Sequence, residues 1–352
     1  MKTGYRGTFV IAWSHTCIDG FPAASLSELK VGALWSWTGK ALCVDGPQSV
    51  LRLDMADGED DRRRRAAKAV TKLVGTARAV RHPNYDADIA NAPDNNSFVV
   101  TDGAKTYSIT LIPSGTDTRP LLMFMGEMPP RDRELWVVSV TLKPRLSAEN
   151  RDGGVICFTP GTAIQTPTGP RPVEHLREGD HVLTRDNGPQ EVLWTGARRI
   201  SGARLYVMPH LRPVRIFSDA FGAGRPDKTL LVSPQHRLLV RGAEVQDLFN
   251  TPEALVAASD LDGTKFAETD FTVRAVTYVH LLLPRHEILW ANGLETESFH
   301  PASAQLSTLG HEDRARLVAG LPDIEHDPHS YGDYARRNLT TGESALLNYK
   351  AA

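Results

Sequence analysis

The sequence predicts a mainly β protein, with an all-β C-terminal domain preceded by a β-rich α+β N-terminal domain. Short segments rich in β-branched and aromatic residues run along the whole chain, and Gly, Asp, Asn and Pro separate them as turns separate strands. In the first half of the chain, one stretch with apolar residues at helical spacing interrupts these segments. A length of 352 residues also exceeds the size of a single typical core, which favours two domains.

The N-terminal domain is predicted to span residues 1–145. Its strand segments are GTFVIAW, GKALCVDG, SVLRLDM, SFVVTDG, TYSITLI and ELWVVSVTL. A helix is predicted from Asp60 to about Arg81, because Ala66 and Val70 belong to a row of apolar residues at helical spacing. The basic run 62–65 at its start is interpreted as a solvated face, since the helix offers no aromatic residue for base stacking or membrane insertion.

A linker is predicted at residues 146–154, where LSAENRDGG is polar and ends in glycines. The all-β domain is predicted over residues 155–300, from segments such as HVLTRD, EVLWTG, HRLLVRG and TVRAVTYVHLLL. Within it, Asn187-Gly188 predicts a hairpin, and TPEALVAASDL predicts one short helix. Residues 301–352 are predicted to form a polar tail that is helical and partly extended.

The charge balance argues against nucleic-acid and membrane partners. The chain has 40 basic and 42 acidic residues and a formal charge of −2, so no global field attracts it to an anionic surface. No apolar run reaches the length of a transmembrane span, and the N-terminus lacks the apolar core of a signal peptide. The default expectation is therefore a cytoplasmic protein, although non-classical secretion would escape this test.

The three cysteines include one that is placed to act as a nucleophile. Cys17, Cys43 and Cys157 cannot all pair within one chain, and none belongs to a Cys-x-x-Cys zinc motif. The first two are interpreted as apolar filler. Cys157 follows the flexible linker at the first strand of a domain, so its sulfur can reach the Ile156 carbonyl carbon through a five-membered ring and form a thioester. This step needs a strained amide, a proton donor for the leaving nitrogen and an oxyanion donor.

Two later segments supply candidate helper groups. LLVSPQHRLLV places Ser233 and His236 three residues apart, where a hydroxyl and an imidazole can converge on one peptide group. Histidine suits the role of proton donor because its ordinary pKa lies near neutral pH. TYVHLLLPRHEILWANG adds His280 and His286 on two strands of an apparent hairpin. Spacing alone does not show that these histidines meet.

Residues 157–299 resemble the Hint domain, the all-β module shared by Hedgehog autoprocessing domains and inteins. The opening CFTPGTAIQTPTGPRPVEHLREGDHVLTRDNG resembles the N-terminal motif of that family. SPQH resembles its Thr-x-x-His motif, and HEILWANGLETESF resembles its C-terminal motif with the ANG turn. The three motifs occur in the order found in the family. With a β-rich domain in front, the chain as a whole resembles bacterial Hint-domain proteins.

The resemblance implies a role for each motif residue. Cys157 is the expected nucleophile of an N-to-S acyl shift, and His236 is expected to protonate the leaving nitrogen. Ser233, at the threonine position, is expected to bond or strain the scissile peptide, and His286 is expected to be an accessory group. His280 is interpreted as a structural residue. No cofactor and no metal are expected, since peptide strain and a histidine supply the activation.

Full protein splicing is not expected, because Glu297-Ser298-Phe299 stands where inteins end in a His-Asn pair followed by a second nucleophile. The expected reaction is cleavage, in which water or an external nucleophile resolves the thioester and releases residues 1–156. On this interpretation the protein's own N-terminal domain is the substrate, and an acceptor nucleophile is the external partner.

Two other functions stay open at this point. A catalytically degenerate Hint fold would act as an interaction or display module, and the β-branched Ile156, which crowds the carbonyl under attack, favours that alternative. A metallohydrolase would use His210, His236, His280 and His286. Their spacing argues against it, since these residues form no compact His-x-x-x-His pair and have no paired carboxylate.

Overall fold

The fold is given by a computed structural model, which describes residues 7–44, 63, 65–71, 96–113, 119–142, 156–303 and 309–351. Strands dominate the described residues, so the prediction of a mainly β protein is confirmed. The chain divides into two compact units. The first comprises Met1–Asn150, Arg241–Pro252 and Thr340–Ala352, and the second comprises Arg151–Val240 and Glu253–Leu339.

Five α-helices lie within the described residues: α1 at 65–71, α2 at Gly202–Val207, α3 at Ala243–Phe249, α4 at His311–Gly320 and α5 at Thr341–Ala351. Helix α1 lies inside the helix predicted from Asp60 to about Arg81, and it buries Ala66 and Val70 as the apolar spacing requires. Apart from residue 63, which is also helical, the rest of that predicted helix falls outside the described residues, as does the predicted strand SVLRLDM.

The first unit is built on one antiparallel sheet in the order β3-β2-β4-β9-β6-β7-β8-β1-β5. The strands are β1 (Thr8–Ala12), β2 (Thr16–Ile18), β3 (Phe21–Pro22), β4 (Leu34–Trp37), β5 (Leu42–Cys43), β6 (Ser97–Thr101), β7 (Thr106–Ile112), β8 (Leu121–Met125) and β9 (Leu135–Thr141). Burial alternates along β4 and β6, as one core-facing side of a sheet requires. The buried face packs into an apolar core that contains Trp13, Trp35 and Phe98.

Helices α3 and α5 belong to the same first unit, although they come from later parts of the chain. Lys40 Nζ, between β4 and β5, donates to Asp247 Oδ2 of α3 over 2.7 Å. The Tyr349 hydroxyl of α5 donates to the Val44 carbonyl oxygen over 3.5 Å. The first unit is therefore completed by two segments that follow Cys157 in the sequence.

The remaining described strands form three sheets and belong to the second unit, except that Arg241 at the end of β17 belongs to the first. The strands are β10 (Ala163–Thr166), β11 (Gly169–Pro172), β12 (His181–Thr184), β13 (Gly188–Glu191), β14 (Trp194–Ile200), β15 (Val214–Ile216), β16 (Leu230–Val232), β17 (Arg237–Arg241), β18 (Glu253–Ala257), β19 (Ala267–Thr269), β20 (Val276–Leu282), β21 (Ile288–Ala291), β22 (Leu294–Glu297) and β23 (Arg337–Asn338). The largest sheet follows the path β11-β10-β21-β22-β17-β18-β23, and β12 joins it beside β21 with β13 as its own partner. The smaller sheets are β14-β20 and β16-β15-β19.

The hairpin predicted at Asn187-Gly188 is confirmed. Strands β12 and β13 pair with Thr184 opposite Gly188, so residues 185–187 form the connection. Gly188 supplies the positive φ, at +65°, that the tight connection requires.

The ANG motif forms a second tight turn, between β21 and β22. Ala291 pairs with Leu294, so Asn292 and Gly293 alone make the connection. Both residues have positive φ, 48° and 75°, as the favoured two-residue hairpin turn requires. The Asn292 side chain also accepts a hydrogen bond from the Ala163 amide over 2.8 Å, which fixes the turn against β10.

The short helix predicted in TPEALVAASDL is wrong. This segment forms strand β18 and then a 3-10 turn at Ala258–Leu261. Strand β18 lies inside the large sheet between β17 and β23, and Ala254, Leu255 and Val256 are all fully buried. A strand that is buried on both faces has a continuous apolar sequence, which periodicity cannot distinguish from a buried helix.

The hairpin predicted to carry His280 and His286 is also wrong, because the two segments belong to different sheets. His280 lies on β20, which pairs with β14. His286 lies in the connection before β21, which pairs with β22. The apolar run on both sides of Pro284 resembles two paired strands, but only the register of the sheets decides which strands pair.

The described part of the predicted polar tail is folded. Residues up to Leu339 cluster with the second unit, and those from Thr340 onward cluster with the first. Helix α5 begins with a reciprocal cap: the Thr340 amide donates to Glu343 Oε2 over 2.9 Å, and the Glu343 amide donates to Thr340 Oγ1 over 3.2 Å. No helix in the described ranges is long and apolar enough to cross a membrane.

Gly293→Ala is expected to destabilise the protein more than Gly188→Ala. Both glycines have positive φ, where Ala costs about 1–2 kcal/mol. At Gly293 an added Cβ would also lie 2.8 Å from the Gly224 carbonyl oxygen, whereas at Gly188 it would meet nothing within 4 Å. Urea denaturation of the two variants measures the difference, and equal losses of unfolding free energy would contradict the close contact at Gly293.

Candidate active site around Cys157

Two antiparallel β-bridges made by Phe158 position the candidate nucleophile, Cys157. Phe158 pairs with Val232 at the end of β16 and with Val279 of β20. Its amide donates to the Val279 carbonyl over 2.9 Å, and the Val279 amide donates back over 2.8 Å. Because both pairings are antiparallel, the residue before Phe158 lies opposite the residues that follow Val232 and Val279. Cys157 is thereby held between Ser233 and His280.

Ser233 and His280 contact the peptide bond between Ile156 and Cys157. The Cys157 amide donates to Ser233 Oγ over 2.9 Å. His280 Nδ1 lies 2.8 Å from the Ile156 carbonyl oxygen. Cys157 Sγ lies 3.5 Å from His280 Nδ1 and 3.6 Å from His280 Nε2. One side chain therefore binds the nitrogen of this amide, and another binds its oxygen and contacts the thiol.

The Ile156 carbonyl fixes the tautomer of His280. A carbonyl oxygen can only accept, so Nδ1 must carry the hydrogen and donate it. The lone pair of the neutral ring is then on Nε2, which lies within hydrogen-bonding distance of Cys157 Sγ. The rings of Trp194 and Phe299 pack against the imidazole, with centroid separations of 5.8 and 5.0 Å. One ring thus offers a donor to the carbonyl oxygen and an acceptor to the thiol.

Burial favours the neutral forms of the Cys157 thiol and the His280 imidazole. Burial raises the pKa of the Cys157 thiol well above its ordinary value, and the hydrogen bond with Ser233 lowers it only in part. Burial lowers the pKa of His280 to about 4, although the hydrogen bond with Ile156 acts in the opposite direction. At neutral pH the site therefore holds a thiol and a neutral imidazole and not an ion pair.

His236 lies next to the site but does not bind the peptide bond between Ile156 and Cys157. Its backbone amide donates to the Ser233 carbonyl over 3.0 Å, and its ring packs edge-on against Phe158 with centroids 4.5 Å apart. Neither ring nitrogen has a hydrogen-bond partner within the described part of the chain. Burial lowers the pKa of His236 to about 4, so the ring is neutral at pH 7.

His286 belongs to a separate buried network. Its Nε2 donates to Glu297 Oε2 over 3.1 Å, and its Nδ1 accepts from the Ala335 amide over 2.9 Å. Burial alone would raise the pKa of Glu297, but Arg237 and His286 lower it to about 2. These contacts tie the last motif to the residues around Ala335, and they do not join His286 to Cys157.

His280 is the site residue to which the sequence analysis gave only a structural role. Its contact with Cys157 depends on the bridge at Phe158, which joins segments more than a hundred residues apart. One signal in the sequence does point to it: the run VTYVHLLL places a histidine among apolar residues of a buried strand. A buried polar side chain needs a hydrogen-bond partner, so such a position calls for one.

The four histidines proposed for a metallohydrolase do not form a metal site in the described residues. His210 lies in the 3-10 turn Pro209–Leu211, and His286 is bound to Glu297. In the ranges that the structure describes, no group of three or more His, Cys, Asp and Glu residues is placed to hold a metal ion.

Comparison with known proteins relates one continuous part of the chain to a family. Residues 156–303 match the family model described as the Hint domain. This part of the chain is a Hint domain. The resemblance inferred from the three motifs is thus confirmed, and all four predicted site residues, Cys157, Ser233, His236 and His286, lie within the matched residues.

Several solved structures are similar to the chain. A bacterial intein-like domain from Clostridium thermocellum is 14% identical with a TM-score of 0.29, covering 41% of this chain and 99% of that one. The gp41-1 intein is 14% identical with a TM-score of 0.26, covering 40% and 98%. The MchDnaB-1 intein is 12% identical with a TM-score of 0.25, covering 41% and 100%. No curated protein matches the chain.

His236→Leu is expected to stabilise the Hint domain. A buried imidazole whose nitrogens are both unpaired costs about 1–3 kcal/mol relative to an apolar side chain of similar size, so the variant should have a higher Tm. His286→Leu is the matched control, because it removes the buried hydrogen bond to the Glu297 carboxylate and should lower stability by about 1.5–3 kcal/mol. A lower Tm for His236→Leu would contradict the unpaired state of its ring.

Proposed function

We propose that the Hint domain cleaves its own chain between Ile156 and Cys157 through an N-to-S acyl shift. The observation that carries this proposal is the pair of contacts on that peptide bond, with His280 on the carbonyl oxygen and Ser233 on the nitrogen. The attacking thiol belongs to the same residue as the nitrogen, so the covalent chain itself supplies the proximity. The Hint family match supports self-processing in general terms.

In the first step the Cys157 thiol gives its proton to His280 Nε2, and the sulfur forms a bond with the Ile156 carbonyl carbon. Negative charge develops on the Ile156 oxygen, which already accepts from His280 Nδ1 over 2.8 Å. Protonation at Nε2 makes the ring cationic and strengthens that hydrogen bond as the charge develops. His280 therefore acts as both the general base and the oxyanion donor.

In the second step the bond between the Ile156 carbonyl carbon and the Cys157 nitrogen breaks. The proton that left the sulfur passes from His280 to this nitrogen, so the products are a thioester and a free amine and the step needs no cofactor. Ser233 Oγ accepts the N–H in the resting state and holds the nitrogen as it becomes pyramidal. Water or an external nucleophile then attacks the thioester and separates residues 1–156 from the covalent chain.

The assignment of His236 as donor to the leaving nitrogen stays a prediction from its motif. Its ring is neutral and lies against Phe158. The geometry favours His280 for the transfer that begins the reaction, because His280 alone among the two contacts both the thiol and the scissile carbonyl.

The alternative function is a catalytically inactive Hint domain that acts as an interaction or display module. The complete burial of Cys157 favours it, because burial raises the thiol pKa and keeps out the water that would resolve a thioester. The raised thiol pKa does not prevent the reaction if His280 is a general base, because the base removes the need for a preformed thiolate. The two functions differ in whether the mass of the intact chain changes.

Cys157→Ala should abolish cleavage, and His280→Gln should slow it by about a hundredfold or more, which is the contribution of a positioned base. Gln can still donate to the Ile156 carbonyl, but it cannot take the thiol proton. Ser233→Ala should also be slow, and Ser233→Thr is its matched control because it keeps the hydroxyl. Mass spectrometry under denaturing conditions, with and without added thiol, measures the fraction cleaved.

Two outcomes would contradict the proposal at different points. A wild-type chain that never yields residues 157–352, with or without thiol, would leave the interaction module as the function. Cleavage that depends on Cys157 but proceeds at the wild-type rate in His280→Gln would keep self-processing and remove His280 as the base.

The cleavage rate should change little between about pH 6 and pH 8.5 and should fall as the pH approaches 4. Neutral His280 is the base, its pKa is lowered to about 4, and its neutral form is therefore lost only as the pH falls through that value. The buried thiol has a raised pKa, so no thiolate forms near the ordinary value of about 8.5. Circular dichroism at each pH shows where the chain remains folded. A rise in rate centred near pH 8.5 would indicate attack by a thiolate instead.

A further inference from the structure

The side chain of Ile156 lies in an apolar cluster that the C-terminal part of the second unit completes. Ile156 is 1% exposed and shares this cluster with Trp194, Leu282 and Phe299. The other buried members follow the motif region of the Hint domain: Leu309, Leu317 and Ile324. We call residues 309–331 the C-terminal cover. The residue before the scissile bond is therefore enclosed by a segment whose role the sequence motifs do not explain.

Polar contacts hold the C-terminal cover against strand β14. The Trp194 indole donates to the Asp313 carbonyl over 3.1 Å, and the Asp313 carboxylate accepts from a backbone amide of β14 over 3.0 Å. Arg316 donates to the Thr195 carbonyl over 2.8 Å. Strand β14 pairs in turn along its whole length with β20, which carries His280. One strand pair thus connects the cover to the residue that binds the Ile156 carbonyl.

We propose that the C-terminal cover forms the specificity pocket for the residue before the scissile bond and selects a branched aliphatic side chain there. This inference rests on the proposed function, because a preference at residue 156 acts on cleavage only if the carbonyl of that residue reacts. The buried members of the cluster are almost fully enclosed, so the pocket has a fixed volume and no opening to solvent at these side chains. A closed apolar pocket accepts a side chain of matching volume and rejects a larger or charged one.

An anchored Ile156 side chain explains how the acyl group stays in place during the reaction. Once the bond to the Cys157 nitrogen breaks, the backbone of residue 156 is joined to the domain only through the sulfur. The buried side chain then keeps the carbonyl oxygen near His280 Nδ1, where it lies 2.8 Å away in the resting state. Binding of a group that does not react thus orients the group that does. The β-branch that crowds the carbonyl is used for this binding.

Ile156→Phe should slow cleavage induced by thiol by about tenfold or more, because overpacking displaces the carbonyl from His280. Leu317→Ala enlarges the pocket, and combined with Ile156→Phe it should restore most of the rate. Leu255→Ala is the matched control, since it removes the same atoms from a fully buried leucine of another cluster and should restore nothing. Denaturing mass spectrometry measures the rate for each chain.

The same substitutions in the Cys157→Ala background separate the pocket from the chemistry. No cleavage can occur there, so the Tm reports packing alone: Ile156→Phe should lower it, Leu317→Ala should recover part of the loss, and Leu255→Ala should add to it. This pattern, found together with a parent chain that never cleaves, would keep the pocket and reject the proposed function. A parent chain that cleaves no faster than Ile156→Phe while both do cleave, or a Tm loss that Leu317→Ala does not reduce, would overturn the inference.

Discussion

Backbone hydrogen bonds around Phe158 hold the first residues of the Hint domain between two strands that lie far apart in the sequence. The amide contacts of Phe158 with Val279, and of Ser233 with the Cys157 carbonyl, fix the chain on both sides. They bring Cys157 to residues 76 and 123 positions away. The side chains that bind the scissile amide could not converge without this pairing. The site is therefore a property of the sheet register, and the conformation of a loop has little part in it.

The same pairing buries Cys157 and His280, and this burial determines the protonation state of each side chain. A thiol whose pKa is raised faces an imidazole whose pKa is lowered, so a proton transfer between them in the resting state is strongly unfavourable. In the proposed reaction, this transfer becomes favourable only together with formation of the bond from sulfur to carbon, when charge develops beside the His280 donor.

Local turn chemistry and motif order were sufficient to predict much of this architecture. The hairpin at Gly188 and the ANG turn depend on residues that adopt positive φ, and the sequence displays them directly. Compact motifs predict Cys157 and Ser233 as site residues, and the structure places the two in contact. The contact of His280 with Cys157 and the strand β18 are not predicted from the sequence, because each depends on pairing between distant segments. The C-terminal cover was missed because its few apolar residues, such as Leu317, are spread among charged ones.

The composition of the first unit changes what a backbone cut accomplishes. Its sheet precedes the cut, but helices α3 and α5 follow it, and Lys40, Thr38 and Val44 bind them through Asp247, Asn250 and Tyr349. None of these hydrogen bonds involves Ile156 or Cys157, so breaking the bond between those two residues would leave them intact. If the proposed cleavage occurs, these contacts would keep residues 1–156 bound to the rest of the chain in a nicked, non-covalent assembly. Size-exclusion chromatography of the native protein would show a single particle even where a denaturing gel shows two bands.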